Sequence, residues 1–142
     1  MNVKKCLIHE INHIFFAKIF GLRLKPRWIS EGLALNLDGY GFGHGLRKED
    51  LQLIMKKKKI VLPYSTPRKE RWLFYPLGYF GVKYILKHYG KKKLFLFLKE
   101  YAKNPTKKRY KLLFAKHFKD LNSFSDDVKR FILEFSKGTV RF

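Results

Sequence analysis

The apolar residues of this chain are grouped into helix-length segments that glycine and proline residues separate. In the first segment, Val3–Phe20, leucine, isoleucine and phenylalanine recur at close to a helical period, and Gly21 follows as a residue typical of helix C-termini. Similar patterns predict further helices at residues 28–37, 48–57, 72–88, 92–103, 106–118 and 123–135. Only residues 60–62 have strand character, so the sequence predicts a mainly α fold.

The length of 142 residues corresponds to one domain with one hydrophobic core. We find no internal repeat and no linker that would divide the chain. We therefore predict a single domain over residues 1–142, with helices in residues 3–37 forming a site and residues 48–137 forming a C-terminal helical part. Ser123 and Asp126 are predicted to cap the last helix.

Two histidines in the first predicted helix, His9 and His13, form an H-E-x-x-H motif with Glu10 between them. Residues four apart on a helix project from one face, so both imidazoles can reach one metal ion. Zinc accepts such nitrogen ligands but needs a third protein ligand beside an open position for water. Glu10 is turned partly off the ligand face, where it can reach that water without binding the metal.

A third candidate ligand, Glu31, lies in the second predicted helix, in the segment Pro26-Arg27-Trp28-Ile29-Ser30-Glu31-Gly32-Leu33-Ala34. Seventeen residues separate His13 from Glu31. This length allows the first helix to end, the chain to reverse and the second helix to pack with Glu31 facing the histidines. Histidine ligands usually need an outer hydrogen-bond partner, for which Asn36, Asp38 and a backbone carbonyl are all candidates.

Together these residues resemble the gluzincin metallopeptidases, whose signature is H-E-x-x-H followed by a glutamate ligand on the next helix. The segment from Trp28 to Ala34 is similar to the W-x-x-E-G-x-A form of peptidase-MA-like and aminopeptidase-type members. The resemblance implies His9, His13 and Glu31 as ligands of Zn²⁺. It also implies that the chain hydrolyses a peptide or protein substrate, with Glu10 as the general base. It also implies a helical catalytic subdomain, here without most or all of the β-sheet that precedes the motif helix in that family.

The resemblance continues at Tyr75-Pro76-Leu77-Gly78, which looks like the Y-x-x-G helix of the same branch. There a tyrosine hydroxyl donates to the oxyanion, which implies this role for Tyr75, with Tyr79 as a substitute one turn away. The family carries a basic residue where this chain has Leu77. His44, in a glycine-rich loop after the second helix, could line the cleft.

The formal net charge of +21 supports a second hypothesis. A basic helical module could bind nucleic acid or an anionic membrane through residues 56–59, 91–93 and 107–109, with a structural or degenerate zinc site. The 24 lysines far outnumber the 8 arginines, whereas nucleic-acid sites usually favour arginine, so nucleic acid is the less favoured partner.

No apolar run approaches the length of a membrane span and no clear signal peptide begins the chain, so we expect a cytoplasmic protein. Since no sheet-forming segment precedes the motif, we also expect an upstream segment, a partner chain or a membrane surface to complete the site. Without it, the chain should be a poor peptidase.

Overall fold

A computed structural model describes residues 3–20, 25–37 and 47–138. These ranges contain seven α-helices, a short 3-10 helix at Arg68–Leu73 and no strand, which confirms the mainly α fold. The helices are α1 (Val3–Phe20), α2 (Arg27–Leu37), α3 (Lys48–Lys56), α4 (Phe74–His88), α5 (Lys91–Ala102), α6 (Lys107–His117) and α7 (Leu121–Ser136). The predicted helix positions are therefore close to those observed.

The segment 60–62, predicted as a possible strand, forms no strand and no helix and pairs with no strand in the described part of the chain. Ile60 and Leu62 are buried while Val61 is exposed, which is the alternation that suggested a strand. However, the Leu62 N–H donates to the Ser125 hydroxyl, and its carbonyl accepts from the Tyr110 hydroxyl. Side chains of α7 and α6 thus take the hydrogen bonds that a neighbouring strand would have taken.

The predicted cap of α7 is wrong by three residues. The helix begins at Leu121, and the Asp120 carboxylate accepts a hydrogen bond of 2.9 Å from the Ser123 N–H. Aspartate is a strong N-cap residue because its carboxylate satisfies a free N–H group of the first turn. Ser123 therefore lies inside the helix. Its backbone N–H receives the cap from Asp120, and its own side chain is not the cap.

Helix α4 packs most extensively against α2, and the two helices cross backbone to backbone at two glycines. A Cβ atom built on Gly32 of α2 would lie 2.1 Å from the Gly78 carbonyl oxygen of α4. A Cβ atom on Gly78 would lie 2.4 Å from the Trp28 carbonyl oxygen. The crossing therefore requires glycine at both positions, and it brings the second turn of α4 beside Trp28 and Gly32 of α2.

The indole of Trp28 connects α2 to the C-terminal helices. Trp28 is fully buried, and its ring lies edge-on to Phe114 of α6 and tilted against Phe124 of α7. Its Nε1–H donates to the Tyr110 hydroxyl at 3.0 Å, which itself donates to the Leu62 carbonyl. Burial raises the pKa of Tyr110 well above its usual value, although the hydrogen bond from Trp28 opposes this. Through Trp28, α2 therefore packs against α6 and α7.

Candidate metal centre

The two histidines of the motif lie on the face of α1 that contacts α2. Their Nε2 atoms are 3.0 Å apart, as the spacing of four residues predicted. His9 is buried and His13 is partly buried. The Nδ1 atom of His13 lies 3.1 Å from the hydroxyl oxygen of Ser30, which fixes the orientation of that ring.

The carboxylate of Glu31 completes the cluster from α2. Its Oε2 atom lies 3.0 Å from Nε2 of His9 and 3.2 Å from Nε2 of His13. Its Oε1 atom accepts a hydrogen bond of 3.2 Å from the guanidinium of Arg27, one helical turn earlier. The two oxygens therefore have separate partners, and the predicted convergence of His9, His13 and Glu31 is present in the structure.

The electrostatic environment keeps Glu31 ionised. Burial raises its pKa, but hydrogen bonds from His13 and His9 and their charges outweigh burial and lower the pKa to about 2. Arg27 contacts the opposite oxygen of the same carboxylate. The site thus presents a buried anionic oxygen beside two imidazole nitrogens, which are the donor types that bind zinc.

The distances among the three donor atoms fit a small metal ion. Three corners of a tetrahedron around an ion bonded at about 2.0 Å lie about 3.3 Å apart. The observed separations are 3.0, 3.0 and 3.2 Å. Calcium fits poorly, because it takes six to eight oxygen ligands at about 2.3–2.6 Å. The three side chains could therefore hold a small metal ion, and their donor types and spacing are compatible with zinc.

A pocket of about 670 Å³ opens beside the three donors, and the two predicted catalytic residues line it. Glu10 is exposed there and directly follows the candidate ligand His9 in the sequence. Tyr75, near the start of α4, also lines the pocket. Burial and then the negative charge of Glu31 raise the pKa of Tyr75, so its hydroxyl keeps the proton that it would donate. Tyr79 is fully buried and does not line the pocket, so it cannot substitute for Tyr75 without rearrangement.

Two contacts of the site were not predicted. Ser30 is the hydrogen-bond partner of the outer nitrogen of His13, and Arg27 donates a hydrogen bond to the carboxylate of Glu31. Asn36, one of the candidates, instead donates to the backbone carbonyls of Gly32 and Tyr79 across the α2–α4 crossing. The spacing from Arg27 to Glu31, four residues on one helix, was the available signal for the ion pair. Asp38 and His44 lie outside the described residues.

The predicted basic segments belong to three different places in the fold. Residues 56–59 comprise the last residue of α3 and the three residues after it, residues 91–93 begin α5 and residues 107–109 begin α6. Arg109 stabilises the turn between α5 and α6, since its guanidinium donates to the carbonyls of Glu100, Tyr101 and Asn104. Lys57 forms an ion pair of 2.5 Å with Glu70. The two side chains are thus part of the structure rather than free members of a basic surface.

Comparison of the chain with protein-family models, curated proteins and solved structures found no match. The resemblance to gluzincins therefore depends on the motif residues alone. The geometry of His9, His13 and Glu31 is a property of this chain and stands without the resemblance. Among the described helices, none combines the length and hydropathy that a membrane crossing requires.

Proposed function

We propose that this chain is a zinc-dependent peptidase in which His9, His13 and Glu31 hold the metal. The observation that supports this most directly is the convergence of two imidazole nitrogens and one carboxylate oxygen at mutual distances of 3.0–3.2 Å. Three protein donors leave a fourth position for water or substrate, which is the arrangement of catalytic rather than structural zinc sites. The adjoining pocket gives a substrate access to that position.

Zinc at this site would act as a Lewis acid that lowers the pKa of water toward neutrality. Glu10 would accept the proton of the attacking water and pass it to the leaving amine. Its exposed carboxylate lies in the pocket and beside a ligand in the sequence. The hydroxyl of Tyr75, which stays protonated at neutral pH, would donate a hydrogen bond to the developing oxyanion.

Two histidines and one carboxylate also bind non-haem iron in oxygenases. The second carboxylate in the same pocket, Glu10, favours hydrolysis, because a base beside the open metal position is what activation of water needs. Arg27 and Tyr75 add donors that suit an oxyanion better than an apolar substrate that is to be oxidised.

The test is the metal content and hydrolytic activity of the purified chain. We expect one zinc per chain, its loss in His9→Ala, and slow cleavage of quenched fluorescent peptides that disappears with a chelator. His88→Ala is the matched control, since His88 is an exposed helical histidine that packs on Tyr84 and lies outside the metal pocket. Full zinc binding by His9→Ala would contradict the proposed ligand set.

Activity separates the proposal from the alternative of a binding module with a structural zinc site. If the chain is a peptidase, even weak cleavage should depend on Glu10 as well as on zinc. One bound zinc without any cleavage, combined with tight binding to nucleic acid that weakens steeply with salt, would support the binding module instead. Iron at equimolar content in place of zinc would redirect the proposal toward oxidation.

A further inference from the structure

The face of α1 that points away from the metal site is apolar. Leu7, Ile11, Ile14, Phe15 and Ile19 are each more than half exposed. Their spacing of three to four residues places them along one side of the helix, opposite the side that carries His9 and His13. An exposed helix face in a globular protein is normally polar, so the usual arrangement is reversed here.

The apolar surface extends beyond α1 into a neighbouring groove of about 640 Å³. Phe15 and Ile19 form one wall of the groove, and Phe95 of α5 contributes to the other. Lys91 and Lys99, both exposed residues of α5, also line it. The groove therefore combines an apolar interior with two cationic side chains.

Further positive charge lies on the same side of the molecule. Lys4 and Lys18 are exposed on α1, and their positions fall within the apolar face rather than opposite it. The single acidic residue of α5, Glu100, is engaged on the other side by Lys116 and His117 of α6. The surface formed by α1 and the groove thus offers apolar side chains and lysines together.

We propose that this surface docks on an anionic lipid bilayer, with α1 lying in the plane of the interface. A helix binds there when its apolar side chains enter the acyl boundary and nearby lysines attract acidic headgroups. The groove would accept part of an acyl chain beside Lys91 and Lys99. A second copy of the chain is the less suitable occupant, because two molecules that each carry +21 repel one another.

This proposal does not depend on the metal or on peptidase activity, because the docking face lies on the side of α1 opposite His9 and His13, and none of its five apolar residues lines the metal pocket.

The experiment is co-sedimentation of the purified chain with vesicles of phosphatidylcholine alone or mixed with phosphatidylglycerol. We expect binding to the mixed vesicles, little binding to the neutral ones and weaker binding as salt rises. The double variant Leu7→Ser/Ile11→Ser should bind at least about tenfold more weakly, because two aliphatic side chains no longer enter the bilayer. Lys4→Gln and Lys18→Gln should each weaken binding about fivefold.

The matched control is Leu112→Ser, which replaces an equally exposed leucine on the basic helix α6. It should bind like the unaltered chain, and all variants should keep the same helical content by circular dichroism because the altered residues are exposed. Two results would overturn the proposal. One is unchanged vesicle binding by Leu7→Ser/Ile11→Ser, which would leave charge alone as the cause. The other is a dimer of the unaltered chain that this double variant dissociates, which would identify a second copy as the occupant.

Discussion

Replacement of Gly32 by alanine tests the α2–α4 crossing directly. The added Cβ atom would lie 2.1 Å from the Gly78 carbonyl oxygen and 2.5 Å from a methyl group of Val82. Ordinary contacts begin at 3.4 Å, and the closest atom belongs to a backbone, so the helices themselves must separate. Overpacking of this kind costs about 1–3 kcal/mol, and we expect the upper end because no flexible side chain can yield.

The higher helix propensity of alanine offsets about 1 kcal/mol of this overpacking cost. The expected net loss for Gly32→Ala is therefore about 2 kcal/mol in the free energy of unfolding, which guanidinium denaturation can measure. In a chain of this length, that loss lowers the melting temperature by about 4–8 °C. Gly90→Ala is the control, because its Cβ meets no atom within 4 Å and its cost, about 1–3 kcal/mol, comes only from the backbone conformation with φ of 88° and ψ of 159°.

The two variants should differ most at the site. The three proposed metal ligands lie on α1 and α2, whereas Tyr75 lies on α4, so we expect Gly32→Ala to keep zinc affinity and to displace Tyr75 from the proposed metal position. A displacement of about 1 Å can cost about 100-fold in turnover. Gly90→Ala should leave the turnover of the folded protein unchanged. A Gly32→Ala protein that is more stable than the parent chain would refute the close crossing, since an unhindered alanine would reveal only its helix propensity.

Three further substitutions test individual contacts. Glu10→Gln should retain zinc and lose nearly all hydrolysis, and a variant with unchanged turnover would exclude the general-base role. Ser30→Ala should weaken zinc binding about 10–100-fold in a metal-competition titration, because the His13 ring loses its outer partner. If zinc affinity is unchanged, Ser30 does not orient the ligand. Tyr110→Phe should cost about 2–4 kcal/mol in denaturant unfolding, because the Trp28 indole N–H and a backbone carbonyl both lose their buried partner. A loss below about 1 kcal/mol would show that both groups find other partners.

The helices themselves could be predicted from the sequence because each depends mainly on local pattern. Apolar periodicity and the glycine at position 90 placed α4 and its end within two residues of those observed. The cap of α7 was misplaced because Ser123 and Asp120 are both good capping residues, and the local pattern does not choose between them. The segment 60–62 shows a related limit. Alternating apolar residues indicate which side chains are buried, but they do not indicate which groups hydrogen-bond to the backbone.

The convergence of His9, His13 and Glu31 could be predicted for two different reasons. The spacing from His9 to His13 fixes their shared face through helix geometry alone, and no tertiary contact is needed. The participation of Glu31 required an assumption that α2 folds back on α1, for which the sequence offered only a suitable length and the family resemblance. The observed separations of 3.0 and 3.2 Å from Glu31 to the histidines are consistent with that assumption.

The surroundings of the site were decided only by the tertiary structure. The hydroxyl of Ser30 reaches His13 from another helix, and Tyr75 reaches the pocket because two glycines let α4 approach α2 closely. The outward apolar face of α1 is a similar case, since helical spacing groups its residues on one side but only the packing decides which side the core covers. The spacing of residues in the sequence determines which side chains share one face of a helix, because helix geometry repeats regularly. Contacts between helices depend instead on how closely their backbones approach, which is a property of the whole packing.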